Sequence, residues 1–191
     1  MKEQIVNQAE QLFFTQGFSA VTLTAICAPL KIKPASLYFH FKGGKEEIYL
    51  AVIKRRTEQF RSGIESIALR HDDLETILKE FGYWYVEQPP MNMMIIAQMD
   101  IPYLTRRGRT MVNELVKASV FEPLGMLFLR YHSILNRKYD PFTMVGTFSV
   151  LLFSIHTAAK MGDASARQLV DYNVDVFLRG VLRSNTGHAN Y

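Results

Sequence analysis

Three features of the 191-residue sequence predict an all-α protein. Apolar residues recur at three- and four-residue spacing along most of the chain, the period of a helix with one buried face. No run alternates apolar and polar residues for long enough to require a strand, and no Asn-Gly or Asp-Gly pair marks a hairpin. Glycine and proline fall instead where helices begin and end. About nine helices are expected, grouped as a compact three-helix head and a longer helical body.

The head reads as follows. Lys2–Gln16 places Ile5, Ala9, Leu12, Phe13 and Gln16 on one stripe, and Gly17 follows as the residue that most cheaply adopts a positive φ past a helix end. Thr22 is a good N-cap for a second helix from Leu23 to about Leu30. Pro29 removes a backbone donor inside that helix and should tighten it or end it early. The short connection Lys31-Ile32-Lys33 leads to Pro34, placed at the first turn of a third helix that ends near Phe41. Lys42-Gly43-Gly44 breaks the chain before a long helix from about Lys45 to Arg70.

The body follows the same logic. A helix over Asp73–Gln88 is closed by Pro89-Pro90. Beyond Met91, Pro102 and Gly108 bound a segment without a defined element, and Arg106-Arg107-Gly108-Arg109 reads as a solvated loop. A helix from Arg109 to about Leu135 should bend at Pro123. Asp140 and Pro141 form an N-cap and an N1 proline, so a helix runs from Pro141 to about Lys160 and ends at Gly162. The last helix spans about Ala164 to Arg183, and the polar residues 184–191 are expected to be a disordered tail.

Composition narrows the class. An apolar fraction of 48% and a charged fraction of 21% describe an ordinary globular protein. The single cysteine, Cys27, excludes an internal disulfide and a multi-cysteine zinc site. Met1–Gln11 is polar rather than a secretory leader, so the cytoplasm is the expected compartment. Phe142–Met161 has the length of a membrane span, but it carries His156 and Lys160 and has no companion span. It is read as a helix buried in a core or subunit interface, and no membrane partner is expected. Up to Arg56, eight Lys and Arg face four Glu, which accounts for the whole net charge of +4; the remaining fourteen of each sign cancel. The excess positive charge therefore lies in the head, where a polyanion would be met.

Three short helices in about forty residues, with a tight turn between the second and third, describe a helix-turn-helix. Such a unit holds one helix proud of the body so that it can enter a DNA major groove. Its supporting core is Ala9, Leu12, Phe13, Phe18, Ile26, Ile32, Leu37 and Phe41. Phe39 is also compatible with core. The recognition candidate opens at Lys33 and Pro34. Its small Ala35 and Ser36 allow close approach to base edges, while Ser36, Tyr38 and His40 bring hydrogen-bonding groups. Lys45 at the start of the fourth helix adds its charge to free backbone N–H groups, as a phosphate anchor would.

These residues resemble the TetR family of transcriptional regulators. The resemblance rests on Ala9, Leu12-Phe13, Gly17-Phe18, Thr22, Ile26, Ile32, Leu37-Tyr38-Phe39-His40-Phe41 and Lys45-Glu46-Glu47-Ile48 at that family's spacing, about 40 of the 191 residues. It implies an all-helical homodimer: residues 1–48 as a three-helix DNA-binding head, and residues 49–183 as a ligand-binding and dimerisation domain whose last two helices pair with a second copy. It also implies that Thr22 and Tyr38 touch phosphates, that Thr24, Ala35 and Ser36 lie nearest base edges, and that His40 and Lys45 grip the backbone. Three departures stand out: Lys31 replaces the family's usual turn glycine, Pro29 lies in the second helix, and Gly43-Gly44 is one residue longer than the commonest spacing.

No motif marks the body. Leu74, Ile77, Leu78, Phe81, Trp84, Tyr85 and Gln88 recur at helical spacing, and Met91, Met93, Met94 and Met99 follow. An adaptable apolar cavity with polar tips is expected there, with Trp84, Tyr85, Gln88 and Met94 as candidate ligand contacts. His132 and His156 each stand alone in a helix, so no metal is expected. No phosphate loop or nucleophile motif appears, so neither a catalytic residue nor a cofactor is assigned. The function expected is a ligand-responsive DNA-binding regulator, most simply a repressor released from a palindromic operator by a small apolar or amphipathic effector. The alternative is a small-molecule-binding or adaptor protein whose head is degenerate because of Pro29 and Lys31.

Overall fold

A computed structural model of the chain describes residues 1–90 and 96–182. Among them stand nine α-helices: α1 (Lys2–Ala20), α2 (Leu23–Cys27), α3 (Pro34–His40), α4 (Gly44–Ala68), α5 (Leu74–Glu87), α6 (Arg106–Val116), α7 (Glu122–Arg130), α8 (Pro141–Met161) and α9 (Ala166–Val181). Irregular helical turns fill two intervals, a π-turn at Ile96–Asp100 followed by a 3₁₀ turn at Ile101–Tyr103, and a second π-turn at Lys117–Phe121. The described residues contain no named strand, only an isolated bridge between Leu135 and Leu182.

The chain packs as two compact units, and they cut it differently from the division at residue 48 that the sequence suggested. The first joins Met1–Phe60 with Pro90–Ser119, and the second joins Arg61–Pro89 with the residues from Val120 onward.

In the first unit, Ile5, Ala9 and Phe13 of α1, Ile26 of α2, Leu37 of α3, Phe41, and Ile48, Tyr49, Val52 and Ile53 of α4 form the core. Leu12 and Ile32 are only partly buried against it. Ile96, Leu104 and Val112 complete this core from much later in the chain. Phe13, Phe18 and Tyr49 form a ring cluster with centroids 5.0–5.9 Å apart.

Local chemistry explains the boundaries. Gly17 kinks α1 at φ 77°, and one further turn carries the helix to Ala20. The α2 helix stops at Cys27, two residues before the donor-less Pro29. The chain then reverses through Leu30 N–H to Cys27 O (3.1 Å) and Lys31 N–H to Ala28 O (3.1 Å), with Lys31 at φ 53°. Lys31 therefore adopts the left-handed conformation that a glycine would take at less cost.

Three sequence expectations are corrected. Arg106–Arg109 is the first turn of α6 rather than a loop, because the Thr105 Oγ1 accepts the Gly108 N–H at 3.1 Å as an N-cap. Gly108 does not break that helix; it makes room, since a Cβ there would stand 2.5 Å from Glu46 Oε1. The single helix expected from Arg109 to about Leu135 is divided: α6 ends at Val116, the π-turn Lys117–Phe121 follows, and Pro123 stands in the first turn of α7.

In the second unit α8 packs on α7, α5 and α9. Asp140 caps α8 by accepting from the Phe142 and Thr143 amides, and Ser165 forms a capping box with Gln168 at the start of α9. Phe128, Phe148 and Phe177 meet with ring centroids 5.3–6.2 Å apart. By length and composition α8 could cross a membrane. One face, with Met144, Val145, Phe148, Leu152 and Ile155, is buried in this core, while Phe142, Val150 and Met161 are exposed.

Candidate nucleic-acid interface and effector region

The α2–α3 unit positions most of the expected DNA-contacting residues at the surface. Thr22 Oγ1 accepts the Ala25 amide at 3.1 Å and so caps α2. Both Thr22 and Thr24 remain exposed beside that helix start. On α3 only Leu37 is buried. Lys33, Pro34, Ala35, Ser36 and Tyr38 are all exposed, and His40 is half-buried at the helix end. Tyr38 lies against Gly44, where an added Cβ would stand 3.4 Å from the ring Cε1. Phe41 is buried, but Phe39 is 84% exposed and is not a core residue.

The Lys45-Glu46-Glu47 run has an unexpected geometry. The Lys45 ammonium donates to the carbonyls of Phe18 (2.8 Å), Val21 (3.0 Å) and Ser19 (3.4 Å), and sits 4.4 Å from the Phe18 ring centroid. An ammonium has three donors, so this arrangement uses them all. Burial lowers the Lys45 pKa from its ordinary value. The sequence suggested a free phosphate anchor; the geometry makes Lys45 a clasp that ties the end of α1 to the start of α4. Glu46 accepts the Thr105 amide (2.8 Å) and hydroxyl (2.6 Å), which fixes the start of α6. Glu47 accepts the Gly43 amide at 2.7 Å and shapes the turn between α3 and α4.

Asp100 was not singled out from the sequence. It is 2% exposed, with Oδ1 accepting the Phe18 amide at 2.7 Å and Oδ2 accepting the Tyr49 hydroxyl at 2.8 Å. Burial, then the Asp100 charge and hydrogen bond, push the Tyr49 phenol far above its ordinary range. The signal lay in the sequence as a lone charge inside the apolar stretch Met91–Leu104, but nothing there named its partners.

Of the residues expected to meet an effector, Trp84, Tyr85 and Gln88 each have neighbours of their own. Trp84 stacks on Phe81 (5.6 Å, 15°) and fills the space over Gly63, whose Cβ would meet the indole at 2.8 Å. Tyr85 is buried against Phe153 and His156 of α8, with centroids 5.6 and 5.3 Å away. Gln88 turns back and donates to the Trp84 carbonyl at 3.2 Å. Met94 lies outside the described residues. A separate groove of about 500 Å³ opens in the first unit, between α4 and α6, lined by Leu50, Ala51, Met111 and Leu115 with Glu47 and Glu114 among its polar groups. Among the described residues no three His, Cys, Asp or Glu side chains converge as metal ligands would. Cys27 is buried, and burial raises its thiol pKa.

Residues 5–52 match the model of the bacterial regulatory proteins of the tetR family. The negative transcriptional regulator IcaR of the biofilm operon icaADBC, from Staphylococcus epidermidis, is 37% identical over 73 residues. That match covers 38% of this chain and 37% of IcaR, so it spans little more than a third of the relative's length. Two solved structures resemble the fold over almost the whole chain. The fatty acid degradation regulator FadR from Bacillus halodurans superposes with a TM-score of 0.74 at 18% identity, covering 93% of this chain and 94% of FadR. A SmeT–triclosan complex superposes with a TM-score of 0.72 at 18% identity, covering 100% and 97%.

Proposed function

We propose that the chain is a member of the TetR family of bacterial regulatory proteins, whose model residues 5–52 match, and that it is a DNA-binding transcriptional regulator, a repressor that leaves its operator when a small apolar or amphipathic molecule binds. The observation that carries this reading is the outer surface of α3. One buried residue, Leu37, holds the helix down while Lys33, Pro34, Ala35, Ser36 and Tyr38 stay exposed beside Thr22 and Thr24. That is the arrangement a helix needs to enter the major groove. Tyr38 and Thr22 contact phosphates, Thr24, Ala35 and Ser36 face base edges, and His40 reaches the backbone. Lys45 acts one step back, by holding the helix ends that present free amides. Catalysis has no place in this reading.

A homodimer sets two such helices about 34–36 Å apart on one face of a palindromic site. Support for it comes from the apolar stripe Phe142, Val150 and Met161 on α8 with Tyr172 and Val176 on α9, all exposed in the single chain. A second copy, rather than lipid, is the partner we assign to that stripe, in keeping with a cytoplasmic protein.

For the effector, the end of α5 at Trp84, Tyr85 and Gln88, with Met94 beyond it, is the first seat. The α4–α6 groove is the second, favoured by a volume in the range of small-molecule sites. The SmeT neighbour was solved with triclosan, an observation that favours an apolar ligand class here.

The test of DNA binding is selection of duplexes from a random pool by the full-length protein, followed by titration at several salt concentrations. Recovery of a two-fold symmetric site supports the reading; absence of any preferred sequence sinks it. Hydrophobic compounds are then titrated while both DNA release and Trp84 emission are followed. A compound that releases DNA and changes the emission favours the α5 seat. Release with unchanged emission, abolished by a Met111→Glu substitution, assigns the groove.

A further inference from the structure

Phe39 is the most exposed aromatic side chain among the described residues. Its one recorded ring neighbour is His40, met edge-on at 5.5 Å and 87°. Helical geometry places it four residues after Ala35 and three after Ser36, so all three share one stripe. At about 100° per residue, that stripe lies on the side of α3 opposite the buried Leu37. Phe39 therefore occupies the middle of the face that the DNA-binding reading turns toward base edges.

A phenyl ring has no donor for a phosphate and no acceptor for a base amine. The apolar feature that a base pair offers in the major groove is the C5-methyl group of thymine. Leaving a ring of this size in water is unfavourable, and covering it against a methyl recovers part of that cost. Resting on the DNA-binding reading above, we infer that Phe39 packs on a thymine methyl in each half-site and so sets the base preference at that position. The small side chains of Ala35 and Ser36 on the same stripe leave room for the ring to reach the groove floor.

The experiment uses duplexes selected by the full-length protein from a random pool, with each thymine in a half-site replaced in turn by deoxyuridine. Uracil pairs as thymine does but lacks the methyl group. One position per half-site should weaken wild-type binding by about fourfold, the worth of one buried methyl. Phe39→Ala should lose affinity for the parent duplex and become insensitive to deoxyuridine there, while Phe39→Leu should retain part of the sensitivity. The unchanged melting temperature expected for these surface variants separates recognition from folding. A Phe39→Ala protein that keeps the same deoxyuridine penalty overturns the inference. So does an equal loss on selected and random duplexes, which would put the ring on the sugar-phosphate backbone. If the wild type selects no sequence, it is the DNA-binding reading that fails, and the inference falls with it.

Discussion

Lys45 and Tyr38 stand seven residues apart, and the structure gives them different work. Lys45 is held by three carbonyls at the end of α1, whereas Tyr38 is exposed on α3. Replacing Lys45 with Ala should lower the melting temperature as well as weaken DNA binding, because three carbonyls lose their donor. Replacing Tyr38 with Ala should weaken DNA binding and leave the melting temperature unchanged. A Lys45→Ala variant that melts like wild type and shows only a shallower salt dependence would return Lys45 to the role of direct phosphate ligand. Asp100 poses a sharper case, since its carboxylate satisfies two buried donors at once. Asp100→Ala leaves the Tyr49 hydroxyl and the Phe18 amide without that partner, at about 1–3 kcal/mol for each. Tyr49→Phe removes a single bond and should cost less. Urea midpoints of the two variants, measured side by side, check the ordering; equal losses would mean that the Phe18 amide finds another acceptor.

Helix ends carry the next level of specificity. Asp73 and Asp140 each accept backbone amides at the start of α5 and α8. Hydrogen bonds from Thr76 to Asp73 and from Thr143 to Asp140 hold both carboxyls below the ordinary value of 3.8. A carboxylate whose pKa is depressed by folding stabilises the protein above the unfolded value, and that stabilisation is lost as pH falls through the folded value. Both caps should therefore weaken as pH falls below 3.8. Asparagine caps a helix without titrating, so the Asp73→Asn, Asp140→Asn double variant should show a flatter acid limb in melting temperature against pH. An acid limb identical to wild type would show that other carboxylates dominate. The same scale explains the short α2. Thr22 starts it, Pro29 prevents its continuation, and Lys31 makes the turn at a φ that glycine would have reached more easily.

At the scale of the whole molecule, the proposed homodimer rests on the exposed α8–α9 stripe. The sequence left the helix that holds Phe148 and Leu152 between a core and a subunit interface; both residues are 2% exposed and belong to the chain's own core. Phe148→Glu should unfold the second unit, because a charge would be buried without a partner. Val150→Glu or Val176→Glu, at exposed positions, should instead leave helix content intact and yield a monomer by sedimentation at micromolar concentration. A wild-type protein that sediments as a monomer, or a Val150→Glu variant that remains dimeric, would remove the stripe from the interface.

The sequence by itself determined what short-range chemistry controls. Apolar period, the Thr22 and Asp140 caps, and the placement of glycine and proline specified most of the helices to within a few residues, though the one expected from Arg109 to about Leu135 is divided in two. The spacing from Ala9 to Ile48 also carried the family resemblance, because a helix-turn-helix is stabilised by neighbours close in the chain. What only the tertiary structure decided are the contacts made across long separations. Asp100 reaches Phe18 across 82 residues, and Glu46 reaches Thr105 across 59. Local periodicity reports that a side chain is apolar or charged, but not which partner folding will set before it. For that reason Lys45 read as a phosphate anchor, Phe39 was compatible with core, and the helix that holds Phe148 read as either core or interface. Each of those outcomes depends on which face of a helix the rest of the chain covers, and that choice is made by packing the whole core at once.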